Sequence, residues 1–149
     1  MDQWVKNRIK ELTDQRKEEL EEFFDEQWAG YDSEDAEERL SVYYSENIIP
    51  DAIERLRYES GWEEECVEAF QEINEVYPFE NLSRCWDEIE KKYPRYIEDI
   101  RIFFQPYIDD YEQSMEAEKA RYVSESVEAE LENESEDIKA QAEAEFEEL

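Results

Sequence analysis

The sequence has 149 residues and a formal net charge of -30, because 46 Asp and Glu residues face only 16 Lys and Arg residues. A field of this sign repels phosphate groups, so the composition argues against binding DNA, RNA or an anionic membrane and favours a cationic partner. The length is typical of one domain. The 4 Trp, 10 Tyr and 7 Phe residues can build a core, whereas disordered acidic chains are poor in aromatics.

The sequence contains no histidine and only two glycines. Histidine is the commonest general base and transition-metal ligand, and glycine-rich loops cradle phosphates, so we expect neither an enzyme nor a bound cofactor or metal. Cys66 and Cys85 stand in apolar segments and are predicted to be small core residues. No apolar run reaches the length of a membrane span and the N-terminus lacks a secretory pattern, which predicts a cytoplasmic protein.

Residues 2 to 28 are predicted to form the first helix, since apolar side chains recur every three or four positions, with Asp2 as its cap and Gly30 as its end. A second helix is expected after a cap at Asp32 or Ser33. Pro50 suits the first turn of a third helix that runs to about Ser60, where Gly61 stops it.

From Trp62 to Tyr77 the pattern is again helical, and Pro78 should close that helix because the residue before proline is pushed out of the helical region. Asn81 or Ser83 is expected to cap the next helix. Residues 95 to 111 are dense in Ile, Phe and Tyr at helical spacing and predict the central helix, with Pro106 kinking or restarting it.

Residues 112 to 149 are strongly acidic and poorer in apolar residues, although their helix propensity stays high. A solvated helix, frayed at its end, is expected for 132–149, while for 112–131 a solvated helix, a projecting arm and a dimer-forming helix all stay open. The predicted fold is all-α, a single domain of five to seven helices with a long acidic C-terminal helix. It is divided into a helical acidic domain, residues 1–131, and a helix end or tail, residues 132–149.

The candidate partner-binding residues are acids clustered on predicted helix surfaces. Carboxylates three or four positions apart lie about 5 to 6 Å from each other, and like charges at this spacing destabilise a helix. Solubility needs a net charge of only roughly 2 to 8, so the excess calls for a functional explanation. The candidates are Glu34, Asp35, Glu37, Glu38, Glu63, Glu64, Glu65, Glu68, Glu72, Asp109 and Asp110.

The aromatic residues divide into two predicted groups. One group follows the apolar stripes and should be core: Trp62, Trp86, Tyr93, Tyr107 and Tyr111. The other is less clearly inward, and its exposed members would give an acidic surface apolar anchors: Tyr31, Tyr43, Tyr58, Tyr96 and Tyr122.

In its overall acidic and helical character the chain resembles the small DNA-mimic inhibitors of phages and mobile elements, the anti-restriction and anti-CRISPR proteins. The resemblance is one of type across the whole chain and involves no shared motif. It implies a non-catalytic protein that occupies the basic nucleic-acid-binding groove of a defence nuclease, such as a CRISPR effector or a restriction enzyme, in the host cytoplasm. Such proteins are often dimers, so a homodimer is a possible assembly.

Two alternatives belong to other functional classes. An acidic chaperone or scaffold would shield basic, histone-like proteins without copying the shape of DNA. A magnesium-dependent nucleotide pyrophosphohydrolase would hold metal ions on helical carboxylate pairs such as Glu65, Glu68, Glu72 and Glu75. With 35 Glu residues in the chain such pairs arise by chance, so a solvated helix face explains them more simply.

Overall fold

The computed structural model describes residues 2–59 and 61–149, and of Tyr31 the backbone alone. Within these ranges no β-strand occurs, which confirms the all-α class. The six α-helices are α1 (Gln3–Gln27), α2 (Ser33–Tyr43), α3 (Ile49–Tyr58), α4 (Glu64–Val76), α5 (Trp86–Lys92) and α6 (Ile97–Glu147). Their number and the long acidic last helix agree with the sequence prediction.

The first three helices are joined by π-helical turns, at Trp28–Asp32 and Tyr44–Ile48. The prediction that Gly30 ends the first helix is therefore wrong, because the backbone stays helical through it. The predicted cap at Asp32 or Ser33 is wrong for the same reason, and the Ser33 hydroxyl donates to the Ala29 carbonyl within the helical run. Asp2 is confirmed as a cap, since its carboxylate accepts from the Trp4 amide at 2.7 Å.

Later helix boundaries also differ in part from the prediction. Residues Phe79–Arg84 form a 3-10 turn and α5 begins after Cys85, so neither Asn81 nor Ser83 caps it. Pro106 does not restart α6, which continues to Glu147. Because Pro106 has no amide hydrogen, the carbonyl of Ile102, four residues earlier, has no helical donor. The Ile102 side chain is exposed, so this carbonyl lies on the side of α6 that water can reach.

The described α3 ends at Tyr58, and the expected end near Ser60 lies outside the described residues. Gly61 has φ +119°, the one positive φ in the described chain, which confirms a break between α3 and α4 at this position.

The helices form two compact units. The central unit comprises Glu34–Glu116, and the hairpin unit comprises the chain through Ser33 together with Ala117–Leu149. α6 is continuous across residue 131. The predicted boundary between a domain 1–131 and a tail 132–149 stays a prediction.

The core of the central unit is built on aromatic side chains from α4 and the first half of α6. The Phe70 and Phe103 rings stack with centroids 4.5 Å apart, and Phe104 packs edge-on against both at 6.1 and 4.9 Å. Phe70 and Phe104 are completely buried. The prediction that residues 95–111 form the central helix is consistent with this packing. Cys66 is buried as predicted and Cys85 is half-buried.

The hairpin unit is an antiparallel pair formed by α1 and the second half of α6. Val5, Leu12 and Ala142 form its buried cluster, and the Trp4 and Phe146 rings meet with centroids 5.7 Å apart. Residues 132 to 147 are helical, so the structure does not show the frayed end expected there. Ala142 is fully buried where the two helices pack against each other.

Candidate acidic interface

All eleven predicted partner-binding acids lie in the central unit. Ten of them are exposed and Glu37 is half-buried. Four lie on α2, and Asp109 and Asp110 lie on α6. The remaining five begin at Glu63, the residue before α4, and continue along that helix to Glu72. Glu64 and Glu65 occupy the first turn of α4, where the helix dipole stabilises a carboxylate by about 0.3 to 1 kcal/mol.

The α4 acids form a row on one side of the helix. Glu65, Glu68 and Glu72 are separated by three and four residues, and the row spans about 10 Å at 1.5 Å per residue. Its C-terminal end is neutralised, because Lys92 Nζ of α5 lies 2.7 Å from the Glu72 carboxylate. The hydrogen bond from Lys92 lowers the pKa of Glu72 and raises that of the lysine.

The N-terminal end of the row is held by Tyr96. Its hydroxyl lies 3.0 Å from the Glu63 carboxylate and 2.9 Å from that of Glu65, and these contacts bring the two acids together. The hydrogen bond with Glu65, followed by partial burial, raises the pKa of Tyr96 to about 12. Arg95 lies 3.6 Å from Glu63 and over the Tyr96 ring. Sequence reasoning did not assign this role to Tyr96, since it is more than 30 residues from its partners.

A second acidic group surrounds Glu80, which the sequence did not single out. Its backbone amide donates to the hydroxyl of Ser41 on α2, the one buried polar residue among those described. Burial raises the pKa of the Glu80 carboxyl, and the charges of Glu37 and Glu38 raise it further, against an opposing effect of Arg84. Glu80 therefore lies beside the acids of α2, Glu37 and Glu38.

The Asp109 carboxylate accepts from the Gln105 side chain at 2.9 Å, one turn earlier on α6. Of the eleven predicted acids, Glu63 lies 3.6 Å from Arg95 and Glu72 lies 2.7 Å from Lys92.

The balance of charge is negative in both units. The central unit has 24 acids and 8 bases, and the hairpin unit has 22 acids and 8 bases. In the hairpin unit several bases pair across the two helices, as Arg16 does with Glu134 and Lys119 with Asp25. In this unit basic side chains therefore link α1 to the second half of α6.

The two predicted groups of aromatic residues differ only in part in their burial. Tyr111 is buried, and the other four predicted core aromatics are half-buried against the same core. Tyr43 and Tyr58 are exposed as expected. Tyr96 and Tyr122 are half-buried, the latter with its ring 5.6 Å from that of Trp28. The side chain of Tyr31 lies outside the described residues.

In the described part of the chain, no three Asp, Glu or Cys residues are grouped so that they could hold a metal ion. None of the described helices combines the length and the apolar composition needed to cross a membrane. No protein-family model, curated protein or solved structure matches this chain.

Proposed function

We propose that this chain is a non-catalytic DNA-mimic inhibitor, which occupies the basic nucleic-acid-binding groove of a defence nuclease or another DNA-binding protein. A CRISPR effector and a restriction enzyme are the leading target classes. The observation that carries the proposal is the excess of carboxylates over bases on ordered helices in both units. A helix holds such residues at regular spacing, as a duplex does its phosphates.

The size of the charge suits this role. Duplex DNA carries one phosphate per about 1.7 Å of axis, so a charge of -30 equals the phosphate charge of about 15 base pairs. The central unit contributes -16 and the hairpin unit -14, and neither charge depends on a disordered tail. A basic groove that binds DNA would gain the same long-range attraction from this surface.

The test begins with affinity capture from a bacterial lysate, followed by elution with a duplex of about 15 base pairs, the length matched to the net charge. We expect a basic nucleic-acid enzyme to be retained and then displaced by the duplex. Its purified form should lose DNA binding as the acidic chain is added, and the affinity between the two proteins should fall steeply with salt. A retained enzyme that DNA cannot displace, or whose affinity is unchanged at high salt, would contradict the proposal.

The chaperone alternative is tested by neutralising acidic residues rather than by removing the C-terminal segment. Removing residues 132–149 would uncover Val5 and Leu12, so loss of binding could reflect loss of the hairpin unit. Neutralisation avoids this problem, because each variant replaces four exposed acids by glutamine. One variant changes the central unit at Glu34, Glu38, Glu64 and Glu68, and its matched control changes the hairpin unit at Glu132, Glu136, Glu143 and Glu147.

A shaped mimic that binds through the predicted clusters should lose far more affinity in the first variant than in the second. A chaperone that responds to total charge should lose the same affinity in both. The pyrophosphohydrolase alternative is tested separately, by incubation with nucleoside triphosphates and magnesium. Release of pyrophosphate would establish it, and we expect none.

A further inference from the structure

The exposed side of α2 and of the π-helical turn after it has a regular pattern. Exposed residues occur as adjacent pairs at 34/35, 38/39, 42/43 and 46/47, each four positions after the last, while Ala36, Ser41 and Tyr44 are buried between them. The last pair lies within the π-helical turn Tyr44–Ile48. We call these eight residues the α2 face; their pairs are Glu34 and Asp35, Glu38 and Arg39, Val42 and Tyr43, and Glu46 and Asn47.

The chemistry of the α2 face changes along its length. Val42 and Tyr43 are 45% and 50% exposed and are the one adjacent pair of large exposed hydrophobic residues in the described chain. Acids lie on both sides of them, with Glu38 before and Glu46 after. The face carries four acids and one base, Arg39. Single exposed apolar residues are ordinary, but an apolar pair bordered by charges is typical of a protein-binding surface.

The Tyr43 ring and the backbone of the apolar pair already make contacts within the chain. The Tyr43 ring packs edge-on against the buried Tyr44 ring, with centroids 5.8 Å apart and planes at 90°. The Asn47 side chain donates to the Tyr43 carbonyl at 3.3 Å, and the Ser45 hydroxyl donates to the Val42 carbonyl at 3.2 Å. Anchors that are already ordered lose less conformational entropy on binding.

We infer that the α2 face is a docking surface for a basic protein segment in which Lys or Arg residues flank an apolar side chain. The charge of the face selects the cations, and Val42 with Tyr43 receives the apolar group. Glu38 and Glu46 are eight residues apart, about 12 Å along the helix, which matches cations separated by three to four residues in an extended segment. This inference rests on the proposed function, since it specifies how the basic partner is bound.

The apolar pair distinguishes this surface from a simple polyanion, because a phosphate backbone offers no equivalent of it. The probes are two synthetic peptides of equal length and charge, each with two lysine pairs that flank either two leucines or two serines. We expect the wild-type chain to bind the leucine peptide about fivefold more tightly, because part of the leucine surface leaves water. Raising the salt concentration should weaken both peptides and leave this ratio unchanged.

The critical variant is the double substitution Val42→Ser and Tyr43→Ser, which should bring the ratio to about one while both peptides still bind. The matched control is Val76→Ser, because Val76 is an exposed valine of the same unit outside the α2 face; its ratio should stay at the wild-type value. Circular dichroism of each variant establishes that the helices are intact.

Three results would overturn the inference. A wild-type chain that binds both peptides equally has no apolar anchor, although its polyanionic surface and the proposed function would survive. A ratio that persists in the double variant places the anchor elsewhere. A chain that binds neither peptide at low salt contradicts both the docking surface and the proposed attraction to basic partners.

Discussion

The side-chain amide of Asn74 on α4 donates to the backbone carbonyl of Ser45 at 2.9 Å. Ser45 lies in the second π-helical turn, where the Ile49 amide donates to the Tyr44 carbonyl, five residues before it. The next donor in that series would be residue 50, which is proline and has no amide hydrogen. Asn74 therefore satisfies a carbonyl that the local sequence leaves without a partner.

Replacing Asn74 by alanine should lower the free energy of unfolding by about 1 kcal/mol, because the half-buried carbonyl loses its donor. Removal of the buried Asn74 Oδ1, which has no partner in the described chain, offsets part of this cost. The matched control is Asn47→Ala, since Asn47 makes the same kind of bond to the Tyr43 carbonyl, at 3.3 Å, from an exposed position. We expect that variant to cost no more than about 0.5 kcal/mol. Urea unfolding measures both, and equal losses would show that Asn74 has no special role.

The two glycines should respond in opposite directions to alanine. Gly30 lies within a helical run and a Cβ there would meet no atom within 4 Å, so Gly30→Ala should stabilise the chain by about 0.5 to 1 kcal/mol. Gly61 has φ +119°, so Gly61→Ala should destabilise it by about 1 kcal/mol or more. Thermal unfolding of both variants at one salt concentration measures the sign of each change in stability. A destabilising Gly30→Ala would favour the helix end that the sequence predicts there.

The positions of most helices could be predicted from apolar spacing, because burial on α1, α4 and the first half of α6 follows a period close to 3.6 residues. The errors lie at the junctions. Gly30 and Ser33 are residues that often end or cap a helix, yet at these positions they continue it through a π-helical turn. Local residue preferences are weak, and packing of the flanking segments overrides them.

The candidate interface was predictable only in its composition. The exposed acids on α2 and α4 could be named because polar residues on one side of a helix are solvated. Their partners could not be named: Tyr96 is 33 residues from Glu63, and Glu80 reaches the α2 acids from a 3-10 turn. Contacts between residues so distant in the chain depend on the tertiary fold and leave no periodic signal.

The buried Ala142 provides a test of the ordered end of α6. Ala142→Glu would place a carboxylate against Val5 and Leu12 and should cost more than about 2 kcal/mol. Ala144→Glu makes the same chemical change two residues later at an exposed position and should be nearly neutral. Hydrogen exchange gives the direct measurement, because amides of residues 134–145 should be protected in the wild type and in Ala144→Glu. Rapid exchange of these amides in the wild type would instead support the frayed helix end that the sequence predicts.

Burial of Glu80, together with charge repulsion from nearby acids, gives the chain a distinctive response to pH. The folded-state pKa of Glu80 is raised by burial and by Glu37 and Glu38, so the folded chain takes up a proton there more readily than the unfolded chain. This contribution to stability is fully present below the ordinary pKa of 4.5 and is lost as the pH rises through the raised folded value. The thermal midpoint should therefore increase when the pH is lowered from 7 toward 4.5.

Below that range the trend should reverse. Lys92 lowers the pKa of Glu72 and Arg8 lowers that of Glu145, so the stability from these pairs is lost as the pH falls through their folded pKa values. Glu80→Gln should raise the midpoint at pH 7 and flatten its rise toward mild acid, because the substituted amide carries no charge at any pH. Glu90→Gln, at an exposed position on α5, is the control for a simple loss of one charge. Equal behaviour of the two variants would assign the pH response to the overall charge rather than to Glu80.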